Sequence, residues 1–169
     1  IEELIKKNKK VKAKNRNRNI KKKSLTDSDI YKQLKKKGFN PPYKLTKHQM
    51  NSVKFLLQNN NGANFSVPGS GKTAVTLAAH VLTSGLDGLL VVAPKGTFMA
   101  WDEQIEEIFD KSHPIRKKGI VRLVGSQQNI NKLLASGHKY FLINYERLPL
   151  MITSISDFLR SNKIHMVLD

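Results

Sequence analysis

One run of eight residues, Ser66-Val67-Pro68-Gly69-Ser70-Gly71-Lys72-Thr73, restricts what this chain can fold into more than any other feature. A short strand is expected over residues 63–67, and a helix over 71–83 stopped by Gly85. A glycine-rich loop between a strand and a helix is the setting of a phosphate-binding loop. Gly69 and Gly71 let the backbone curl so that successive amide hydrogens point inward at an anion. The helix N-terminus behind them adds free amides and positive dipole. Lys72 can set a mobile ammonium between the β- and γ-phosphates of a nucleoside triphosphate. The Thr73 hydroxyl can take one position of a small octahedral Mg²⁺ shell. Pro68, Gly69, Ser70, Gly71, Lys72 and Thr73 are therefore the expected nucleotide-binding set. Ser66 stands where the usual pattern has its first glycine, a position that matters less than the glycines beside the lysine. The plain alternative is a glycine-rich turn carrying an exposed lysine.

The rest of the pattern agrees with an α/β fold. Thr46 is expected to cap a helix reaching Gln58, and residues 59–62 to form a turn. A fully apolar strand over 88–93 reads as a buried parallel strand. Thr97 is expected to cap a helix to about 109. A strand over 119–124, a helix over 126–136, a strand over 139–144, a helix over 154–161 and a strand over 164–168 complete the series. Strand and helix thus alternate five times with short links, which predicts a mainly parallel sheet flanked by helices.

Charge divides the chain unevenly. The 169 residues carry a formal net charge of +17. Residues 1–48 hold 17 Lys and Arg against 4 Asp and Glu, whereas residues 49–169 hold 13 against 9. Eleven basic residues and no acidic one fall between Lys6 and Lys23. Such a block repels itself and reads as a solvated arm. It is either a nucleic-acid contact working through counterion release or a solubilising tail. A short helix capped by Thr26 or Asp27 and ended by Gly38 is expected next, with Ile30 and Leu34 on one face. Asn40-Pro41-Pro42 then forces an extended connector. The expected division is a basic N-terminal arm over 1–39, carrying that one short helix, and a lobe over 40–169.

Cysteine is absent, so no disulfide or thiolate metal site can form. This fits an intracellular protein, whether of cytoplasm, nucleus or nucleoid. The longest apolar run, residues 89–93, falls far short of a membrane span, so no membrane partner is expected. His48, His80, His113, His138 and His165 lack metal-ligand spacing and predict no zinc. Because the chain opens at Ile1 and stops in mid-pattern at Asp169, it is read as a fragment at both ends.

The order of segments over residues 40–169 resembles the first RecA-like lobe of superfamily-2 helicases and translocases, most closely the Swi/Snf-type DNA-dependent ATPases. Leu45-Thr46-Lys47-His48-Gln49, followed by Val53-Lys54-Phe55-Leu56-Leu57, is similar to the family's segment in which a glutamine reads adenine. The resemblance gives Gln49 that role and ATP as the nucleotide, while Thr46-x-x-Gln49 is equally a capping box. Tyr43 is either a stacking partner for the base or a core residue. Residues 89–97, with Trp101 four residues on, resemble the motif in which a helix N-terminus faces a nucleic-acid phosphate. Lys95 and Thr97 would be its contacts. Thr97 can also be a plain cap, and Trp101 is read as a core anchor rather than a stacking platform. Phe141-Leu142-Ile143-Asn144-Tyr145-Glu146 resembles a strand end near the bound strand, where Asn144 would donate to a phosphate or simply close a turn. Ile164-His165-Met166-Val167-Leu168-Asp169 resembles the strand entering the second nucleotide motif. The resemblance makes Asp169 a Mg²⁺-orienting residue. It also expects a glutamate next, which this sequence does not contain.

The resemblance implies an ATP hydrolase that couples phosphoryl transfer to movement along nucleic acid, with double-stranded DNA the expected track. A second RecA-like lobe of the same polypeptide would close over Mg²⁺-ATP, and the present chain alone would hydrolyse little. Lys72 and Asp169 are the catalytic candidates. An RNA helicase, the motor subunit of a restriction or phage-defence nuclease, and a basic nucleic-acid-binding module with a vestigial loop stand as alternatives.

Overall fold

The computed structural model describes residues 26–39, 44–59 and 61–169. The basic run between Lys6 and Lys23, the connector over 40–42 and Tyr43 lie outside the described residues. The architecture is α/β: a four-stranded, all-parallel sheet with helices on both faces. Seven α-helices occur among the described residues: α1 (Asp27–Lys36), α2 (Lys47–Gln58), α3 (Lys72–Leu82), α4 (Phe98–Ile108), α5 (Pro114–Lys118), α6 (Gln127–Ala135) and α7 (Ile152–Ser161). The strands are β1 (Gly88–Val92), β2 (Val121–Arg122), β3 (Tyr140–Ile143) and β4 (Ile164–Leu168), in the order β2-β3-β1-β4.

The sheet explains the apolar run at its centre. Strand β1 pairs with β3 on one side, Leu90 opposite Phe141, and with β4 on the other, Leu90 opposite Met166. All five of its residues are buried, because helices cover both faces. Leu89, Val91 and Leu142 face a core built with Ile30, Leu34, Met50, Val53, Leu77 and Trp101. Leu90, Val92, Phe141 and Ile143 face a second core closed by Ile130 and Ile155. Alternate residues of one strand thus serve two layers, as the period of two requires.

Helix α1 is packed onto the lobe rather than carried free of it. Its N-cap Thr26 forms a reciprocal capping box with Asp29, and Ile30 and Leu34 are fully buried. Tyr31 donates to the Leu45 carbonyl at 2.7 Å, and Lys54 pairs with Asp27 at 2.5 Å. Gly38, at φ +80°, lets the chain turn so that its carbonyl accepts from Asp110 N at 2.9 Å and Phe39 meets Phe109 edge-on at 5.7 Å.

Two sequence expectations fail here, the second only in part. Residues 63–67 form no strand, so the sheet has four strands and not five. Ala63, Phe65 and Val67 are exposed, Phe65 at 94 %, and no neighbouring strand lies against their backbone. Thr97 holds the N-cap position of α4 as expected but supplies no side-chain capping bond: it ends a 3-10 turn, Lys95–Thr97, and its hydroxyl donates to the Pro94 carbonyl at 2.9 Å. Smaller departures are β2, only two residues long, and the unexpected α5, which starts with Pro114 behind the cap His113.

Candidate phosphate-binding site

The loop entering α3 has the backbone its sequence requires. Gly69 and Gly71 sit at φ +78° and +77°, left-handed conformations costly for any residue with a Cβ. Gly71 is the N-cap of α3, and no side chain caps that helix. Its first amides are therefore left for solvent or an anion. The Ser70 hydroxyl is buried without a hydrogen-bond partner. Free helix amides, two left-handed glycines and an unused hydroxyl together fit a polyphosphate. Lys72 Nζ is turned back onto its own loop, donating to the carbonyls of Ser66 at 3.0 Å and Val67 at 3.2 Å. Those two bonds must be exchanged before the ammonium can reach a phosphate. Pro68 is exposed in the turn and Thr73 is half-buried in the first turn of α3.

Gln49 joins α2 to this loop. Its Oε1 accepts from Thr46 N at 2.8 Å, completing a capping box, and its Nε2 donates to the Ser70 carbonyl at 2.9 Å. The residue is nearly buried. A Cβ on Gly71 would collide with that same Nε2. The amide therefore acts as a brace that fixes the loop against α2. Only its second Nε2 hydrogen and second Oε1 lone pair remain for a base.

Helix direction places this loop relative to the remaining candidates. His80, near the end of α3, stacks on His165 and meets Tyr140 edge-on, and both partners lie at the N-terminal ends of their strands. Lys72 lies eight residues earlier, about 12 Å along the helix at 1.5 Å per residue, toward the C-terminal ends of the strands. Asp169, Lys95, Thr97 and Asn144 all follow directly from those ends. Ligands in open α/β sheets bind at this edge, where the chain reverses its direction across the sheet. Here β3 and β4 flank β1 on opposite sides.

Asp169 is held by residues other than the loop. Its Oδ2 accepts from Trp101 Nε1 at 2.8 Å, its amide donates to the Val92 carbonyl at 2.9 Å, and its carbonyl accepts from Tyr145 Oη at 2.9 Å. Among the described residues no hydrogen bond or ion pair joins it to Lys72 or Thr73. Asn144 Nδ2 donates to Glu146 at 2.5 Å, and Lys95 is exposed. Thr97 would have to release the Pro94 carbonyl to donate to a phosphate.

Sequence reasoning missed the Gln49–Ser70 bond and the clamp of Trp101 and Tyr145 on Asp169. It also missed the stacked His80–His165 pair. No local signal marks contacts made across 21, 68, 24 and 85 residues of chain. Among the described residues no helix is long and apolar enough to cross a membrane. No protein-family model matches the chain, and no curated protein matches it.

Proposed function

We propose that the chain is the nucleotide-binding part of a RecA-like ATPase lobe, from a motor that uses ATP to move along nucleic acid, with double-stranded DNA as the track. One observation carries this reading: an uncapped helix N-terminus behind two left-handed glycines, next to Lys72 and Thr73, at the C-terminal edge of a parallel sheet. The loop amides and Lys72 would hold the phosphates. Thr73 and Asp169 would hold Mg²⁺ directly or through water, a shell that one carboxylate and one hydroxyl can anchor. Bound Mg²⁺-ATP supplies phosphoryl transfer, and the protein's part is positioning and charge neutralisation. Gln49 holds the loop in register and keeps one donor and one acceptor for adenine. Lys95, Thr97 and Asn144, on the same edge, would grip a nucleic-acid backbone without reading sequence. The large positive charge of the chain favours that partner.

The test is equilibrium binding of a fluorescent ATP analogue with Mg²⁺, by the wild-type chain and by Lys72→Ala. Loss of a charge-assisted contact of about 1.5–3 kcal/mol should weaken binding by roughly 10–100-fold. Wild-type binding no tighter than that of the variant would sink the nucleotide reading. Hydrolysis is then measured with duplex DNA, single-stranded DNA and RNA in turn, on the chain joined to a second lobe. Stimulation by RNA alone would move the proposal to the RNA helicases.

A further inference from the structure

Helix α3 carries the phosphate loop at one end and a buried imidazole at the other. His80 is 7 % exposed, and its ring stacks on that of His165 with centroids 5.6 Å apart and planes 21° apart. Tyr140 meets His80 edge-on, its centroid 6.0 Å from that of His80. His165 and Tyr140 both sit opposite Leu89 of β1, so the end of α3 spans three adjacent strands at one level. The Nδ1 atoms of His80 and His165 are both buried with no hydrogen-bond partner. Buried polar atoms without partners destabilise a fold, and here both rings of one stack carry such an atom.

The surroundings make this pair intolerant of charge. The groups acting on His80 are His165 on β4, His113 at the cap of α5 and Lys37 at the end of α1, all of them basic. The nearby Asp110 acts on His113 and not on His80. Tyr140 is neutral, its phenol pushed further up by burial.

We infer that the His80–His165 stack is a proton-sensitive latch between α3 and the sheet: adding a proton to either ring breaks the stack and releases α3, with the loop it carries, from β4. Burial, then the neighbouring bases, pull His80 down from 6.5 to about 3, and burial lowers His165 as well. A base whose folded-state value lies below its unfolded one leaves the unfolded chain holding more protons in the interval. The contribution of His80 to stability is therefore complete above 6.5 and lost as pH falls from there toward 3, and that of His165 is likewise lost as pH falls below 6.5.

The latch is tested by urea unfolding of the full chain between pH 8 and pH 4.5, for wild type, His165→Gln and His80→Phe/His165→Phe. In wild type the unfolding constant should rise as pH falls below 6.5, His80 contributing up to about tenfold per pH unit well below that value and His165 adding to the rise. The double variant should lose that part of the slope, and His165→Gln should lose part of it. Should the double variant fail to fold, His165→Gln still decides, read with the ring resonances of His80 followed by NMR. Equal slopes in wild type and His165→Gln, or a His80 ring that titrates near 6.5 in the folded protein, would overturn the latch. Coupling to the loop rests on the proposed function and has its own readout. Affinity for the fluorescent ATP analogue should fall with pH in wild type before unfolding begins, and less so in His165→Gln. Binding absent at every pH would fail the nucleotide reading while leaving the latch to the unfolding data.

Discussion

Trp101→Ala is expected to lower the stability of the chain by about 3–5 kcal/mol, a large part of the 5–15 kcal/mol typical of a domain. Trp101 is 1 % exposed and packs in the core that α1, α2, α3 and α4 share over one face of the sheet. A buried tryptophan removes about 150–250 Å² from water, worth roughly 4–6 kcal/mol at 25 cal/mol per Å². Its bond from Nε1 to Asp169 is a second term, smaller because the aspartate is exposed: about 1 kcal/mol. Trp101→Phe separates the two. It keeps most of the apolar volume and removes the donor, so it should cost far less than the alanine variant. It should also leave Asp169 held only through its own backbone. The measurement is urea unfolding followed by far-UV circular dichroism, since Trp101 is the one tryptophan in the chain and its fluorescence disappears in both variants. Equal losses in the two variants would mean that the hydrogen bond, and not packing, makes Trp101 matter.

The contrast between what was and was not legible in the sequence follows from the range of each interaction. The continuous apolar run 88–93 predicts a buried parallel strand, and the structure puts Gly88–Val92 at the centre of the sheet, covered on both faces. The loop and α3 were legible because their signals lie within eight residues: two glycines, a lysine, a threonine and then a helical pattern. Thr46-x-x-Gln49 was legible as a capping box for the same reason. That the other end of the same amide would reach the Ser70 carbonyl depends on how α2 packs beside α3, and no local pattern encodes it. The composition of residues 63–67 predicts a strand, but a strand needs a neighbour as well as a composition. Here Lys72 takes the carbonyls of Ser66 and Val67, and Phe65 and Val67 point into solvent. Thr97 shows a similar competition: a good capping residue was drawn instead to the carbonyl of Pro94, three residues back in a 3-10 turn.

Gly71→Ala should damage the loop much more than Gly69→Ala, although the two glycines have nearly the same φ. Both variants force a Cβ into the left-handed region, at about 1–2 kcal/mol each. At Gly69 nothing lies within 4 Å of the new atom, so strain is the whole effect. At Gly71 the new atom lands on Gln49 Nε2, and the amide must move. Moving it breaks its bond to the Ser70 carbonyl and the capping bond from Thr46 N, each worth about 0.5–1.5 kcal/mol. The expected total at Gly71 is about 2–5 kcal/mol, against 1–2 at Gly69. On the proposed nucleotide-binding role, affinity for the ATP analogue should drop with it, because Ser70 and the α3 amides are the groups displaced. Gln49→Ala provides the decisive control. With the amide gone there is nothing for the new Cβ to strike, so Gly71→Ala made in the Gln49→Ala background should cost only the strain. The two substitutions should then be strongly non-additive, by about 1–3 kcal/mol. Urea unfolding of the four proteins of this cycle, with Gly69→Ala beside them, measures the coupling directly. Additive losses, or equal losses at Gly69 and Gly71, would show that Gln49 does not brace the loop.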